Sequence, residues 1–321
     1  MDVAIIGTGN LGRYHAIGAM MSQVVDDLYL YDSAQSCAEN LKIELQAKPS
    51  LTKVHVLPSL NSPPVFFDLV IIASTAKKRL DLVSELFAHH RIKQLVVEKL
   101  LEQSPERIRL LVESTKSAQT VWVNHPKPMM RWHQELAAVF QAIEISEVRV
   151  SGPNWGLTTA GTHYLQLVQW WTGQKLVFAS DVAGRATWFP SKRVGYWEMF
   201  GSVSFELDGG AHMHLESFPA KAPGSYAESI EIMVAGKSST ARLNEVTGEV
   251  FGLVDGCPLP SGTLDLQSNL TARLIKELAE TGVCPLPIIQ DVEHLHSLFT
   301  ETLADTRPPQ DVWSSRGLKI T

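Results

Sequence analysis

A short apolar run, Val3-Ala4-Ile5-Ile6, passes straight into Gly7-Thr8-Gly9-Asn10-Leu11-Gly12 and then into a helical pattern. Few local sequences restrict a fold as tightly. The first glycine permits a tight turn out of a strand, the second lets backbone approach a ligand, and the third lets the next helix pack close to the strand. A helix entered in this way presents free N–H groups and a partial positive charge at its start, which suits a pyrophosphate. Asp32 answers the turn twenty residues beyond Gly12, at the end of the apolar run Leu28-Tyr29-Leu30-Tyr31. From that position a carboxylate reaches adenosine ribose hydroxyls. Gly7, Thr8, Gly9, Asn10, Leu11, Gly12 and Asp32 are therefore candidate dinucleotide-binding residues. A 2′-phosphate would meet the charge of Asp32, and Ser33 and Ala34 behind it offer no arginine, so NAD is favoured over NADP. Taken alone, Asp32 or Ser33 also reads as the N-cap of a second helix.

Further β-type runs follow at Val54-His55-Val56-Leu57, Leu69-Val70-Ile71-Ile72-Ala73, Leu95-Val96-Val97 and Val121-Trp122-Val123, separated by helical patterns near 77–89 and 104–117. The alternation predicts an α/β, Rossmann-type, doubly wound parallel sheet over 1–123, with ligands at the carboxyl ends of its strands. From 124 the texture changes. Helices are expected at 129–141 and 160–172 and a strand at 144–151. A hairpin turning at Asp208-Gly209-Gly210 joins Val203, Phe205 and Leu207 to Ala211, Met213 and Leu215. Strands at 176–187, 228–235, 239–244 and 249–254 and helices at 264–281 and 289–304 complete an α+β domain, 124–321. Its open, mostly antiparallel sheet needs cover on its second face, so a homodimer or homotetramer is expected. The closing helix or tail is expected to pack back on the first domain.

Composition narrows the partner. With 45% hydrophobic and 19% charged residues the chain is an ordinary globular protein. A net charge of −6 without a basic block argues against nucleic acid and anionic membranes, leaving a small molecule. Cys37, Cys257 and Cys284 are scattered, so neither a disulfide framework nor a zinc site is supported. The pairs His212/His214 and His294/His296 lack a third ligand, and no metal is expected. No apolar run approaches membrane-spanning length and the first strand begins almost at Met1, so cytoplasmic residence is expected.

Three further segments stand out: Ala73-Ser74-Thr75, Glu98-Lys99 and Gly161-Thr162-His163. Together with the glycine turn they make the whole chain resemble the glucose-fructose oxidoreductase and inositol dehydrogenase family (Gfo/Idh/MocA). Glu98-Lys99 matches that family's Glu-Lys-Pro motif, with Leu100 in place of proline. The resemblance implies a catalytic lysine at Lys99, a catalytic histidine at His163, and cofactor contacts from Ser74, Thr75 and Glu98. A lysine after a central strand points into the crevice where a nicotinamide would lie. Its ordinary pKa of ~10.4 is too high for a base at neutral pH, but burial or a second cation lowers it. A protonated lysine still donates to a developing oxyanion. The family segment Asp-x-Gly-x-His-x-x-Asp reads here Thr159-Ala160-Gly161-Thr162-His163-Tyr164-Leu165-Gln166, without either acid. Thr159 offers a neutral hydroxyl that can still fix the tautomer but stabilises an imidazolium less strongly than a carboxylate would, which makes His163 the weaker base and Lys99 the preferred proton carrier.

Trp122-Val123-Asn124-His125-Pro126 and Asn154-Trp155-Gly156-Leu157 are similar to a bacterial subgroup associated with surface polysaccharides and amino sugars. Asn124 is a candidate for the nicotinamide carboxamide or a substrate hydroxyl. His125, Lys127 and Arg131 would suit a carboxylate or phosphate. Trp155 and Tyr164 would form a sugar-stacking wall, beside Thr159 and Gln166. The expected function is NAD-dependent hydride transfer to or from a secondary alcohol or ketone of a sugar, cyclitol or amino-sugar derivative. Two other classes stay open: a dinucleotide-binding regulatory or scaffold protein, and an enzyme using bound NAD transiently in hydrolysis or epimerisation.

Overall fold

The near-continuous apolar runs of the N-terminal part become the strands of one parallel sheet, because only strands covered on both faces can bury such sequences. In the computed structural model, which describes residues 1–63, 65–181, 186–220, 229–246 and 248–321, the order of elements is β1 (Asp2–Ile6), α1 (Asn10–Ser22), β2 (Asp27–Tyr31), α2 (Gln35–Gln46) and β3 (Lys53–Val56). There follow β4 (Phe66–Ile72), α3 (Ala76–His89), β5 (Arg91–Val97), α4 (Pro105–Ser114) and β6 (Thr120–Val123). The strands lie in the order β3-β2-β1-β4-β5-β6, all parallel. The chain reverses its direction of winding between β1 and β4, so the carboxyl ends of those two strands flank the topological switch point. Ala4, Ile6, Val70, Ile72, Leu95, Val97 and Val123 meet Val83, Leu86, Ile108 and Leu111 from the helices in the core of this sheet.

The second sheet is built from β7 (Ile145–Pro153), β8 (Leu176–Asp181), β9 (Thr187–Pro190), β10 (Trp197–Leu207), β11 (His212–Phe218), β12 (Ile230–Gly236), β13 (Thr240–Val246), β14 (Glu249–Val254), β15 (Cys257–Pro258) and β16 (Gly262–Thr263). Its order is β15-β14-β13-β12-β7-β11-β10-β8, with β16 on β14 and β9 on β10. All pairs are antiparallel except β7 with β11. The expected hairpin is present, with Phe205 opposite Met213 and Val203 opposite Leu215. The strand expected at 176–187 is two strands, β8 and β9, with 182–185 outside the described residues. Residue 228, where another was expected to start, also lies outside them.

Helices α5 (Arg131–Ala142) and α6 (Leu157–Thr172) accompany this sheet, and α7 (Gln267–Thr281) and α8 (Ile289–Asp305) close the helical part of the chain. By contacts the chain forms two units, one of Met1–Glu102, Glu106–Pro126 and Asp265–Glu293, the other of Gln103–Pro105, Lys127–Leu264 and His294–Thr321. In the first, α7 lies along α1. Gly18 permits that approach, since a Cβ there would sit 2.6 Å from the Cβ of Thr271. No helix among the described residues is long and apolar enough to cross a membrane.

One buried polar cluster fixes α6 within the second unit. Lys127 Nζ lies 2.6 and 2.8 Å from the two oxygens of Glu245 on β13. The same carboxylate meets His133 Nε2 at 3.1 Å and accepts the Tyr164 hydroxyl of α6 at 2.7 Å. The Lys127 ammonium stands 4.3 Å from the centre of the Tyr164 ring. Burial pushes the Glu245 carboxyl up, but the charge of Lys127 and the contact with His133 outweigh it and hold the carboxyl far below the usual range. Breaking a buried pair leaves an uncompensated charge, at a cost of about 3–5 kcal/mol. Glu245→Gln is accordingly expected to lower the unfolding free energy by that order in chemical denaturation.

Candidate functional site

The glycine turn sits at the carboxyl end of β1. Gly7 takes a left-handed φ of +94°, and a Cβ on it would stand 3.0 Å from the Ala73 backbone at the end of β4. A Cβ on Gly12 would run into the Gly7 carbonyl. The fold itself therefore demands two of the three glycines. Gly9 differs, because a Cβ there would meet none of the described residues within 4 Å and its backbone is extended. What glycine preserves at residue 9 is open space in front of the start of α1, whose first turn has neither a side-chain cap nor an acidic residue. That cradle fits a pyrophosphate held on backbone N–H groups.

Asp32 closes the turn from β2. Its Oδ2 accepts the Thr8 N–H at 2.8 Å and the Thr8 hydroxyl at 3.2 Å, and its Oδ1 accepts the Ala34 N–H at 3.0 Å. Each carboxylate oxygen can accept more than one hydrogen bond, so Asp32 can shape the loop and still receive ribose hydroxyls. Asn10 is exposed and Leu11 half-buried beside it.

Ser74 and Thr75 follow β4, and Glu98 and Lys99 follow β5, which places all four at carboxyl ends of neighbouring strands. The Lys99–Leu100 peptide is cis. A fully buried arginine that the sequence reading did not single out joins the two loops. Arg79 donates to the Ser74 carbonyl at 2.6 Å, to the Leu101 carbonyl at 3.0 Å and to the Leu100 carbonyl. Its single signal in the sequence is a charge on the inward side of α3.

Glu98 is buried. Its Oε1 meets His15 Nε2 at 2.9 Å and accepts the Asn124 amide at 2.5 Å. His15 Nδ1 in turn meets Thr271 Oγ1 at 2.9 Å, and the Asn124 amide reaches Gln267 Oε1 at 3.4 Å, both on α7. Burial raises the Glu98 carboxyl, but the bond and charge of His15, the Asn124 amide and the Lys99 charge together hold it below the ordinary carboxylate range. His125, also fully buried, goes the other way. Burial first, and then the Lys99 charge, push its imidazole down to about 3. His125 is thus neutral near neutral pH and contributes no cation there.

In the second unit, Thr159, Thr162, His163 and Gln166 share one face of α6, since positions three and four apart align on a helix. Thr162 Oγ1 and Gln166 Oε1 are buried and have no hydrogen-bond partner among the described residues. Thr159 donates its hydroxyl to Glu198 at the start of β10, and the other oxygen of Glu198 accepts the Thr158 N–H at 3.0 Å. Glu198 is a carboxylate the sequence reading missed, because an acid on the polar side of an alternating strand carries no mark of burial. Trp155 packs edge-on against Tyr164 with ring centres 5.3 Å apart, and its indole N–H donates to the Glu216 carbonyl at 2.7 Å. Lys127 is neutralised by Glu245, and Arg131 is exposed and paired with Glu135 on its own helix at 2.8 Å. The anion-binding trio expected of His125, Lys127 and Arg131 is therefore not assembled as three available cations: one is neutral, one is ion-paired in the interior, and one faces solvent. No group of three or more His, Cys, Asp or Glu suited to a metal occurs among the described residues.

No protein-family model matches the sequence, and no curated protein matches it significantly. Solved structures do match, over nearly the full length. UDP-N-acetylglucosamine 3-dehydrogenase GnnA from Acidithiobacillus ferrooxidans shares 15% identity, covering 96% of this chain and 95% of that one, with a TM-score of 0.62. An oxidoreductase from Agrobacterium radiobacter in complex with NAD+, L-tartaric acid and magnesium shares 16%, covering 96% of both chains, with a TM-score of 0.66. The super-repressor mutant of Gal80p from Saccharomyces cerevisiae shares 14%, covering 96% of both, with a TM-score of 0.70. The chain shares the fold of these proteins.

The two kinds of glycine separate binding from stability. Gly12→Ala is expected to cost about 1–3 kcal/mol through the clash with Gly7. Gly9→Ala should leave the melting temperature unchanged or slightly raised while weakening NADH binding about tenfold, about 1.4 kcal/mol. Thermal melts and fluorescence titration of both variants check this. His125 adds a pH dependence. Its folded value lies below the unfolded value of 6.5, so the unfolded chain takes up the proton first as pH falls. Its contribution is complete above that value and is lost on the way down to about 3. The slope is up to about 1.4 kcal/mol per pH unit, and His125→Gln should flatten it in urea denaturation between about pH 7 and about pH 5.

Proposed function

We propose that the protein is an NAD-dependent oxidoreductase that moves a hydride between nicotinamide and a secondary alcohol or ketone of a sugar, cyclitol or amino-sugar derivative. The reading rests on Lys99, which follows β5 in the same sheet whose β1 leads into the glycine turn. Gly7, Gly9, Gly12 and Asp32 hold the dinucleotide, Ser74 and Thr75 meet its nicotinamide ribose, and Asn124 lies one residue beyond β6. The cofactor, when bound, gives or takes the hydride. Lys99 handles the accompanying proton or donates to the oxygen on which charge develops. The family resemblance gives His163 on α6 a supporting catalytic role, and on the same helix the buried oxygens of Thr162 and Gln166 accept no hydrogen bond from the described residues. With Lys127 and Arg131 committed to Glu245 and Glu135, the recognised part of the substrate is polyhydroxylated rather than anionic. Two neighbours of this fold, a UDP-N-acetylglucosamine 3-dehydrogenase and an oxidoreductase bound to NAD+, support the chemistry.

A second reading has its own support. Gal80p, named as a repressor, has the same fold, and both acids of the family's histidine segment are replaced here by Thr159 and Gln166. In that reading the chain binds NAD as a regulatory protein without turnover. We also propose a homodimer or homotetramer through the open sheet face that exposes Met233, Phe251 and Leu253. Three free cysteines suit a reducing cytoplasm.

A panel of sugars, cyclitols and nucleotide sugars followed by NADH absorbance separates the two readings. The enzyme reading expects turnover with at least one substrate, reduced about 10²- to 10⁴-fold in Lys99→Ala while NADH binding persists. NADH binding without turnover across the panel would transfer the case to the regulatory reading.

A further inference from the structure

Past the ends of β4 and β5 the main-chain bonding of the sheet runs on for one residue, the Ala73 N–H donating to the Ile6 carbonyl at 2.8 Å and the Glu98 N–H to the Ile72 carbonyl at 3.2 Å. Beyond those bonds residues 74–75 and 99–102 leave the sheet as two loops. Arg79 spans them. It sits in the first turn of α3, 0% exposed, and its guanidinium is a rigid planar fork of donors. Nη2 donates to the Ser74 carbonyl at 2.6 Å, while Nη1 donates to the Leu101 carbonyl at 3.0 Å and to the Leu100 carbonyl. Taking a cation out of water is costly, and main-chain carbonyls of both loops help to solvate this one. The first of the two loops also carries the glycine turn, since a Cβ on Gly7 would stand 3.0 Å from the Ala73 carbonyl carbon and 3.1 Å from the Ser74 nitrogen.

We propose that Arg79 is a positioning residue that makes the loop of Ser74 and Thr75 and the loop of Lys99, Leu100 and Leu101 move as one piece. A hydrogen bond weakens steeply as it departs from linearity, and the two terminal nitrogens of a guanidinium cannot turn independently. Displacing either loop therefore bends the bonds that the same fork makes to the other. Contact then runs from the glycine turn through Ser74 and Arg79 to the main chain next to Lys99, and binding that orders the first loop orders the second. That consequence rests on the oxidoreductase reading, which puts the nicotinamide ribose against Ser74 and Thr75. The joint movement of the two loops does not, because it is a property of the free protein.

Amide hydrogen exchange on the full chain without nucleotide tests the coupling. In the wild type, amides at 75–76 and 99–102 are expected to exchange through one shared opening, with the same dependence on urea. Arg79→Met is expected to raise exchange about tenfold or more in both loops while β1, β4 and β5 stay as protected as before. Arg79→Lys keeps the charge but replaces the fork with a single nitrogen, and is expected to restore protection in one loop at most. Separate openings of the two loops in the wild type, or a change confined to one loop in Arg79→Met, would overturn the proposal. The wild-type measurement decides the matter even where the methionine variant does not fold. With nucleotide, Arg79→Lys should weaken NADH about tenfold and leave unchanged the affinity for ADP, which lacks the nicotinamide ribose. Equal losses for both ligands count against the proposal, since general loosening of the fold weakens both. Any panel substrate that is turned over should lose about 100-fold in kcat in the same variant. A shared opening in a wild type that binds no NADH would sustain the coupling of the loops while removing the dinucleotide reading.

Discussion

A carboxylate taken out of water at the end of β5 has to be met by hydrogen bonds and counter-charge, because the cost of leaving it alone is several kcal/mol. Glu98 is met from three directions. His15 comes from α1, Asn124 from beyond β6, and the charge of Lys99 from its own chain neighbour. His15 and Asn124 then need partners of their own, and both find them on α7, in Thr271 and Gln267. The glycine turn, the lysine loop and a helix from late in the chain are thereby tied to one buried acid. The loop that carries Lys99 is held in place through this arrangement.

The second unit repeats the principle with different residues. Glu245 gathers Lys127, His133 and Tyr164, and holds the middle of α6. Glu198 holds the first turn of the same helix. Both acids are supplied by strands of the large sheet, so the helix that carries His163 is fixed by directional bonds as well as by its apolar side. Apolar packing alone tolerates small rotations of a helix about its axis. Hydrogen bonds to a carboxylate do so much less, which keeps the stripe of Thr159, Thr162, His163 and Gln166 in one orientation.

The sequence was most legible where periodicity and a geometric motif coincide. The six strands of the parallel sheet, and the turn after the first, follow from apolar runs of fixed spacing and from glycines that the backbone requires at residues 7 and 12. The large sheet was legible in its hairpin but less so at 176–190, where one expected strand is β8 and β9 with residues 182–185 undescribed between them. Pairings made across long sequence distances left no local trace. Lys127 reads from sequence as a candidate partner for a substrate carboxylate or phosphate, and nothing near it announces Glu245, over a hundred residues on. Arg79, Glu198 and Glu245 were missed for the same physical reason: whether a charged residue is buried depends on what folds over it.

The cysteines, spread one by one through the chain, differ in accessibility. Cys37 and Cys257 are exposed and belong to different units, whereas burial pushes the Cys284 thiol up to about 12. A maleimide at neutral pH therefore has two addresses, one in each unit. The natural sequence already carries one labelling position in each unit, so the distance between the two cysteines can be measured during a ligand titration without engineering a single residue.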